Sequence, residues 1–180
     1  SSLIVRFLFL PIEDVSYSLF SQLRDKKEQA FDAFCSLLKL LVHLALLILC
    51  FGPPYSHAAL DFLYANEEYT ANAHLLTIAF LTMATIAING ISETFFHSTA
   101  SDEQLKSANN AMFAFSITYV SLCIVLSKTM GATGLFLANI ISMVVRICYS
   151  HINITKSYGP LPLKRVLPTV PTATSFVAAF

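Results

Sequence analysis

The chain has 180 residues, of which 56% are hydrophobic and 12% charged, with a mean hydropathy of +0.66 and a formal charge of zero. A soluble domain carries roughly twice that charged share, so a soluble class is excluded and a polytopic α-helical membrane protein is predicted. The zero net charge argues against nucleic acid as a partner.

The first span is predicted over 2–23, with Pro11 kinking it near mid-membrane and freeing a carbonyl there. Arg24-Asp25-Lys26-Lys27-Glu28-Gln29 reads as a solvated loop. A second span follows over 31–51, about the 20 residues that a hydrocarbon core requires, interrupted by Lys39 and His43. Gly52-Pro53-Pro54 is expected to end it sharply, with a short interfacial helix over 56–64 after it. The third span, 74–96, carries Asn89, Gly90 and Glu93 near its far end. Ser101 and Gln104 have the spacing of a capping box and open a fourth span over 105–127. Gly131 and Gly134 bracket a tight turn, and a fifth span follows over 135–152 with Asn139 and Arg146. Residues 153–162 read as a connector, and 166–180 as the start of a sixth span. The chain is expected to be an internal piece of a longer protein, and 3–10 is not expected to be a signal peptide.

Arg24, Lys26, Lys27, Lys106, Lys156, Lys164 and Arg165 fall on the odd-numbered loops, against Lys128 alone on the even ones. The bias places the odd loops in the cytoplasm. The sequon Asn153-Ile154-Thr155 then lies on the cytoplasmic side and is expected to be unmodified.

Ionisable groups inside a bilayer are costly and mark paired sites or polar pathways. Arg6 and Glu13 are about two helical turns apart and share a face, with Tyr17 following at i+4. Asp14 points about 100° away. Two readings stand: this face lines a wet cavity and meets a charged substrate, or Arg6 pairs with a carboxylate and pins the bundle. Lys39 either lines the cavity or snorkels to the interface. Arg146 is placed near the cytoplasmic end of its helix, where snorkelling suffices, although a guanidinium is also a natural bidentate partner for phosphate. Asn89 and Glu93, four apart, suit an interhelical hydrogen-bond pair or a glycan contact. Asn139 reads as interhelical glue, and the five histidines as packing or interfacial residues.

Cys35, Cys50, Cys123 and Cys148 are far apart and read as small apolar residues. No nucleotide-binding, zinc-protease or serine-hydrolase motif is present, so no enzyme activity, cofactor or metal is expected. Asp61 with Glu67-Glu68 is a weak candidate for an acidic catalytic loop.

Four stretches carry a family resemblance. Arg6-Phe7-Leu8-Phe9-Leu10-Pro11-Ile12-Glu13-Asp14 followed by Tyr17 resembles the signature of the eukaryotic Rft family. So do Phe51-Gly52-Pro53-Pro54-Tyr55-Ser56 with Leu60-Asp61, Ala87-Ile88-Asn89-Gly90-Ile91-Ser92-Glu93, and Gly134-Leu135-Phe136-Leu137-Ala138-Asn139 with Arg146-Ile147. The family's loop after Tyr64 usually has glycines where this chain reads Ala65-Asn66-Glu67, so nothing is carried over there.

The resemblance implies one lobe of a two-lobe exporter-type fold, roughly the second lobe without its first helix. It also implies a multi-pass protein of the endoplasmic reticulum membrane that moves a dolichol-diphosphate-linked oligosaccharide by alternating access, the polyprenyl tail staying in membrane lipid. On that view Arg6, Arg146 and Lys39 neutralise the diphosphate. Glu13, with Tyr17 on its stripe, orders the cations or contacts sugar hydroxyls, and Asn89 and Glu93 bond the glycan or support the wall. The alternatives are a non-transporting accessory that binds the same lipid, and a drug/cation antiporter of the same superfamily.

Overall fold

The computed structural model describes residues 7, 9–64, 73–162 and 166. Among them the chain is all-α. Helix α1 spans Leu10–Gln22, α2 Lys27–Tyr64, α3 Ala73–Thr99, α4 Asp102–Met130 and α5 Ala132–Tyr158. The last four are long and apolar enough to cross a membrane, so the polytopic helical class expected from composition is met. Of the sixth span expected over 166–180, only Val166 is among the described residues, and it is buried.

The helices differ from the apolar stretches in where they stop. A hydropathy window finds the part of a helix that suits lipid, whereas the backbone stays hydrogen-bonded beyond it. Thus α5 continues through the expected connector as far as Tyr158, where Gly159 at φ 93 ends it. Helix α4 begins earlier than its apolar run because the expected capping box forms. The Ser101 hydroxyl accepts from the Gln104 N–H, and the Gln104 side chain accepts from the Ser101 N–H.

Two expectations about proline are corrected. Pro11 stands in the first turn of α1, where its missing N–H costs nothing, and the backbone at Phe7 and Phe9 before it is π-helical. Pro53 and Pro54 do not end α2, which runs straight through them to Tyr64. Inside a membrane no water competes for freed backbone groups, and nearby hydroxyls hold a proline-bearing helix together. Here the Ser56 hydroxyl donates to the Gly52 carbonyl at 2.9 Å. At ~1.5 Å per residue α2, with 38 residues, is far longer than the ~30 Å hydrocarbon core, so part of it projects beyond the core.

Helix α3 is the hub, packing on α1, α2 and α5, while α4 leans on α5. The core near the α1–α2 turn is aromatic. Phe34 stacks on Phe95 with centroids 4.4 Å apart, Phe20 meets Phe95 edge-on at 5.0 Å, and Phe31 stacks on Tyr158. Such pairs add about 0.5–1.5 kcal/mol each beyond area burial. At the same end Arg24 donates to the Ala100 carbonyl at 3.0 Å, and Gln104 donates to Ser157. The α1–α2 turn, the α3–α4 turn and the end of α5 therefore gather the basic residues Arg24, Lys26, Lys27, Lys106 and Lys156 at one end of the bundle.

Candidate functional site

The site grows from one face of α3. Asn89, Gly90 and Glu93 fall within about one turn of each other, and two of them meet neighbouring helices, Glu93 touching α5 and Gly90 touching α1. Glu93, largely buried, is held by Arg146 of α5. The guanidinium donates through Nε to Oε1 at 2.6 Å and through Nη2 to Oε2 at 2.9 Å. That is the two-pronged geometry in which arginine binds a carboxylate most strongly. The sequence placed Arg146 near a helix end, where it could snorkel or meet a phosphate. With α5 extended to Tyr158 it lies close to the helix middle, where a partner and not the interface satisfies it.

Gly90 lets α1 approach. A Cβ at this position would collide with the Glu13 carboxylate, so Glu13 lies against bare α3 backbone. The Glu93 and Asp14 carboxylates both act on it electrostatically. Among the described residues no cation or hydrogen-bond donor contacts Glu13. Asn89 is buried, and its Oδ1 has no hydrogen-bond partner among the described residues. An orphaned acceptor in the interior costs about 1–3 kcal/mol unless water or a ligand supplies a donor.

The structure thus brings together Glu13, Asn89, Glu93 and Arg146. Tyr17 and Lys39 are exposed, and neither joins the pair. Arg6 lies outside the described residues, as do Glu67 and Glu68. Asp61 is exposed. Among the described residues no group of three or more His, Cys, Asp or Glu is placed to hold a metal ion.

The family comparison bears on this arrangement. A family model described as Rft protein matches residues 1–180. The chain belongs to the Rft family. It is similar to the Man(5)GlcNAc(2)-PP-dolichol translocation protein RFT1 of Xenopus tropicalis, with 32% identity over 184 residues, covering 95% of this chain and 34% of the relative. The protein of the same name from Drosophila melanogaster is 32% identical over 180 residues, covering 92% of this chain and 32% of the relative. That of Saccharomyces cerevisiae is 29% identical over 168 residues, covering 89% and 29%. The chain therefore spans about a third of the length of the curated relatives it matches. No solved structure matches it.

In this Rft-family chain three further residues, Gly90, Ser142 and His97, belong to the site, and each carries a signal in the sequence. A glycine inside a helix costs about 1 kcal/mol relative to alanine, so Gly90 within α3 points to a close approach. Ser142 lies four residues before Arg146 and His97 four after Glu93. That spacing puts each on the face of its charged neighbour, and both border a cleft that also exposes Arg146.

Proposed function

We propose that this chain is part of a membrane protein of the endoplasmic reticulum that moves a dolichol-diphosphate-linked oligosaccharide from the cytoplasmic to the lumenal leaflet. The carrying observation is the Glu93–Arg146 pair, set among membrane-length helices in a chain whose relatives bear the translocation name. A neutralised pair keeps a guanidinium inside the membrane at tolerable cost. An arriving phosphate draws on the guanidinium donors that Glu93 leaves free. The guanidinium is then shared between the phosphate and Glu93, so substrate arrival changes the charge balance between α1, α3 and α5. The work is transport and not catalysis. The cation-antiporter alternative fits less well, because the guanidinium beside Glu93 repels an organic cation.

The basic end of the bundle, holding the odd-numbered turns, is assigned to the cytoplasm by the positive-inside rule. The test is reconstitution of the full-length protein in liposomes with labelled lipid-linked oligosaccharide, alongside rescue of a glycosylation-deficient strain. Transport and rescue are both expected, and both are lost in Arg146→Ala. Rescue without transport in liposomes would favour the accessory that only binds the lipid.

A further inference from the structure

Arg146 also lines a cleft of about 220 Å³ between α4 and α5, with His97 of α3 at its side. Its polar lining is His97, Asn109, Ser116, Tyr119, Ser142 and Arg146. The lining has one full charge, the guanidinium, and no carboxylate. Glu93 uses two of the five guanidinium N–H donors, so about three remain for another acceptor.

Three further polar groups there are unspent. Most serines and threonines of α4 return their hydroxyl to the preceding turn, as Ser116 does to Met112 and Thr118 to Ala114. Ser142, Asn109 and His97, by contrast, make no hydrogen bond among the described residues. Donors left open in a membrane-spanning bundle need water or a ligand's oxygens.

The cleft continues into a narrower groove of about 50 Å³ that shares Phe115, Tyr119 and Ser142 with it and is walled by Leu122, Ile141 and Val145. Polar chamber and apolar groove therefore form one continuous amphipathic slot, with Tyr119 and Ser142 at the junction. On the adjacent face of α4, Phe113, Ile117, Val120 and Ile124 form an exposed apolar stripe.

We propose that this slot between α4 and α5 is a seat for a lipid phosphate, with the phosphate in the chamber against Arg146 and the first part of its chain in the groove. The chamber is smaller than the ~300–1,000 Å³ that encloses a drug-sized ligand. It takes a phosphate or diphosphate and excludes a branched glycan, which must lie outside it. The seat rests on the reading that Arg146 meets a phosphorylated lipid. It adds where the phosphate and the first part of its chain sit.

The test measures binding of dolichyl phosphate, phosphatidic acid, dolichol and inorganic phosphate to the full-length protein in nanodiscs, by native mass spectrometry. It compares wild type with Ser142→Leu, which fills the junction, and Asn109→Ala, which removes a donor without adding bulk. Wild type is expected to bind dolichyl phosphate at least tenfold more tightly than dolichol or inorganic phosphate, with a tenfold or greater loss in Ser142→Leu and a smaller loss in Asn109→Ala. Stronger binding of dolichyl phosphate than phosphatidic acid assigns the seat to a polyprenyl lipid, and equal binding assigns it to membrane phospholipid.

Dolichol binding as well as dolichyl phosphate, or unchanged binding in both variants, overturns the seat. If binding is unchanged in both variants while Arg146→Ala abolishes transport, only the seat fails and the transport reading stands. If wild type neither binds dolichyl phosphate nor transports, both fail together. A melting temperature near wild type in Asn109→Ala separates lost binding from lost folding.

Discussion

Arg146 on α5 grips both carboxylate oxygens of Glu93 on α3, 53 positions away in the chain. The pair joins two helices that carry no other ion pair among the described residues. Removing one partner leaves the other charge stranded. For fully buried pairs the loss is about 3–5 kcal/mol and for exposed ones under about 1. With Arg146 about a third exposed, Arg146→Ala and Glu93→Ala are each expected to cost about 1–3 kcal/mol. The swapped pair Glu93→Arg with Arg146→Glu should recover part of that. Thermal unfolding in detergent over the full double-mutant cycle measures it, and additive single losses would contradict the pairing.

The contact between Glu13 and Gly90 makes a directional prediction. Gly90→Ala drives a methyl group into the Glu13 carboxylate and pushes α1 off α3. Overpacking of this kind costs about 1–3 kcal/mol. Shortening the opposing side chain relieves it, so Gly90→Ala with Glu13→Ala should melt above Gly90→Ala alone. A double variant less stable than either single one would show that the two residues do not meet.

The α4–α5 hairpin depends on two glycines for different reasons. Gly131 adopts φ 60 and ψ −134, a conformation that costs a side chain about 1–3 kcal/mol. Gly134 packs its bare Cα on the Leu126 backbone carbonyl, which cannot rotate aside. Gly134→Ala is therefore expected to destabilise at least as much as Gly131→Ala, although its φ is ordinary. Unfolding midpoints of the two variants decide the order.

Asn153 is expected to remain unglycosylated. Its side-chain amide donates to the Tyr149 carbonyl at 2.8 Å within α5, near the basic end assigned to the cytoplasm. Treatment of the protein from cells with an N-glycosidase should leave its mobility unchanged with respect to this site. A shift that disappears in Asn153→Gln would reverse the assigned orientation.

Arg24→Ala should loosen the turn-to-turn clamp on Ala100. A hydrogen bond from a charged donor contributes about 1.5–3 kcal/mol, and exposure of Arg24 places the loss at the lower end. Faster amide exchange at residues 23–26 and 99–101, with little change inside α4, is the expected signature.

Much of the membrane architecture was legible before any fold was known. The apolar runs gave the helical, membrane-spanning class, Ser101 and Gln104 the start of α4, and the scatter of lysines and arginines the shared end of the odd turns. The prolines misled, because a rule for helices in water does not carry over where freed carbonyls have no solvent to turn to. Glu93 and Asn89 were legible as a polar face, and their neighbours were not.

Hydropathy and capping depend on residues close in the chain, so the amino-acid order alone determined that this protein is helical, membrane-spanning and polar at Glu13, Asn89, Glu93 and Arg146. Which of these groups meet depends on how far each helix is rotated and slid against the next. That is settled by the packing of Phe20, Phe34, Phe95 and Tyr158 and by the bare surface of Gly90, over separations that no local pattern encodes. Only the tertiary structure therefore decided that Arg146 grips Glu93, that Glu13 rests on α3, and that Lys39 and Tyr17 stand apart.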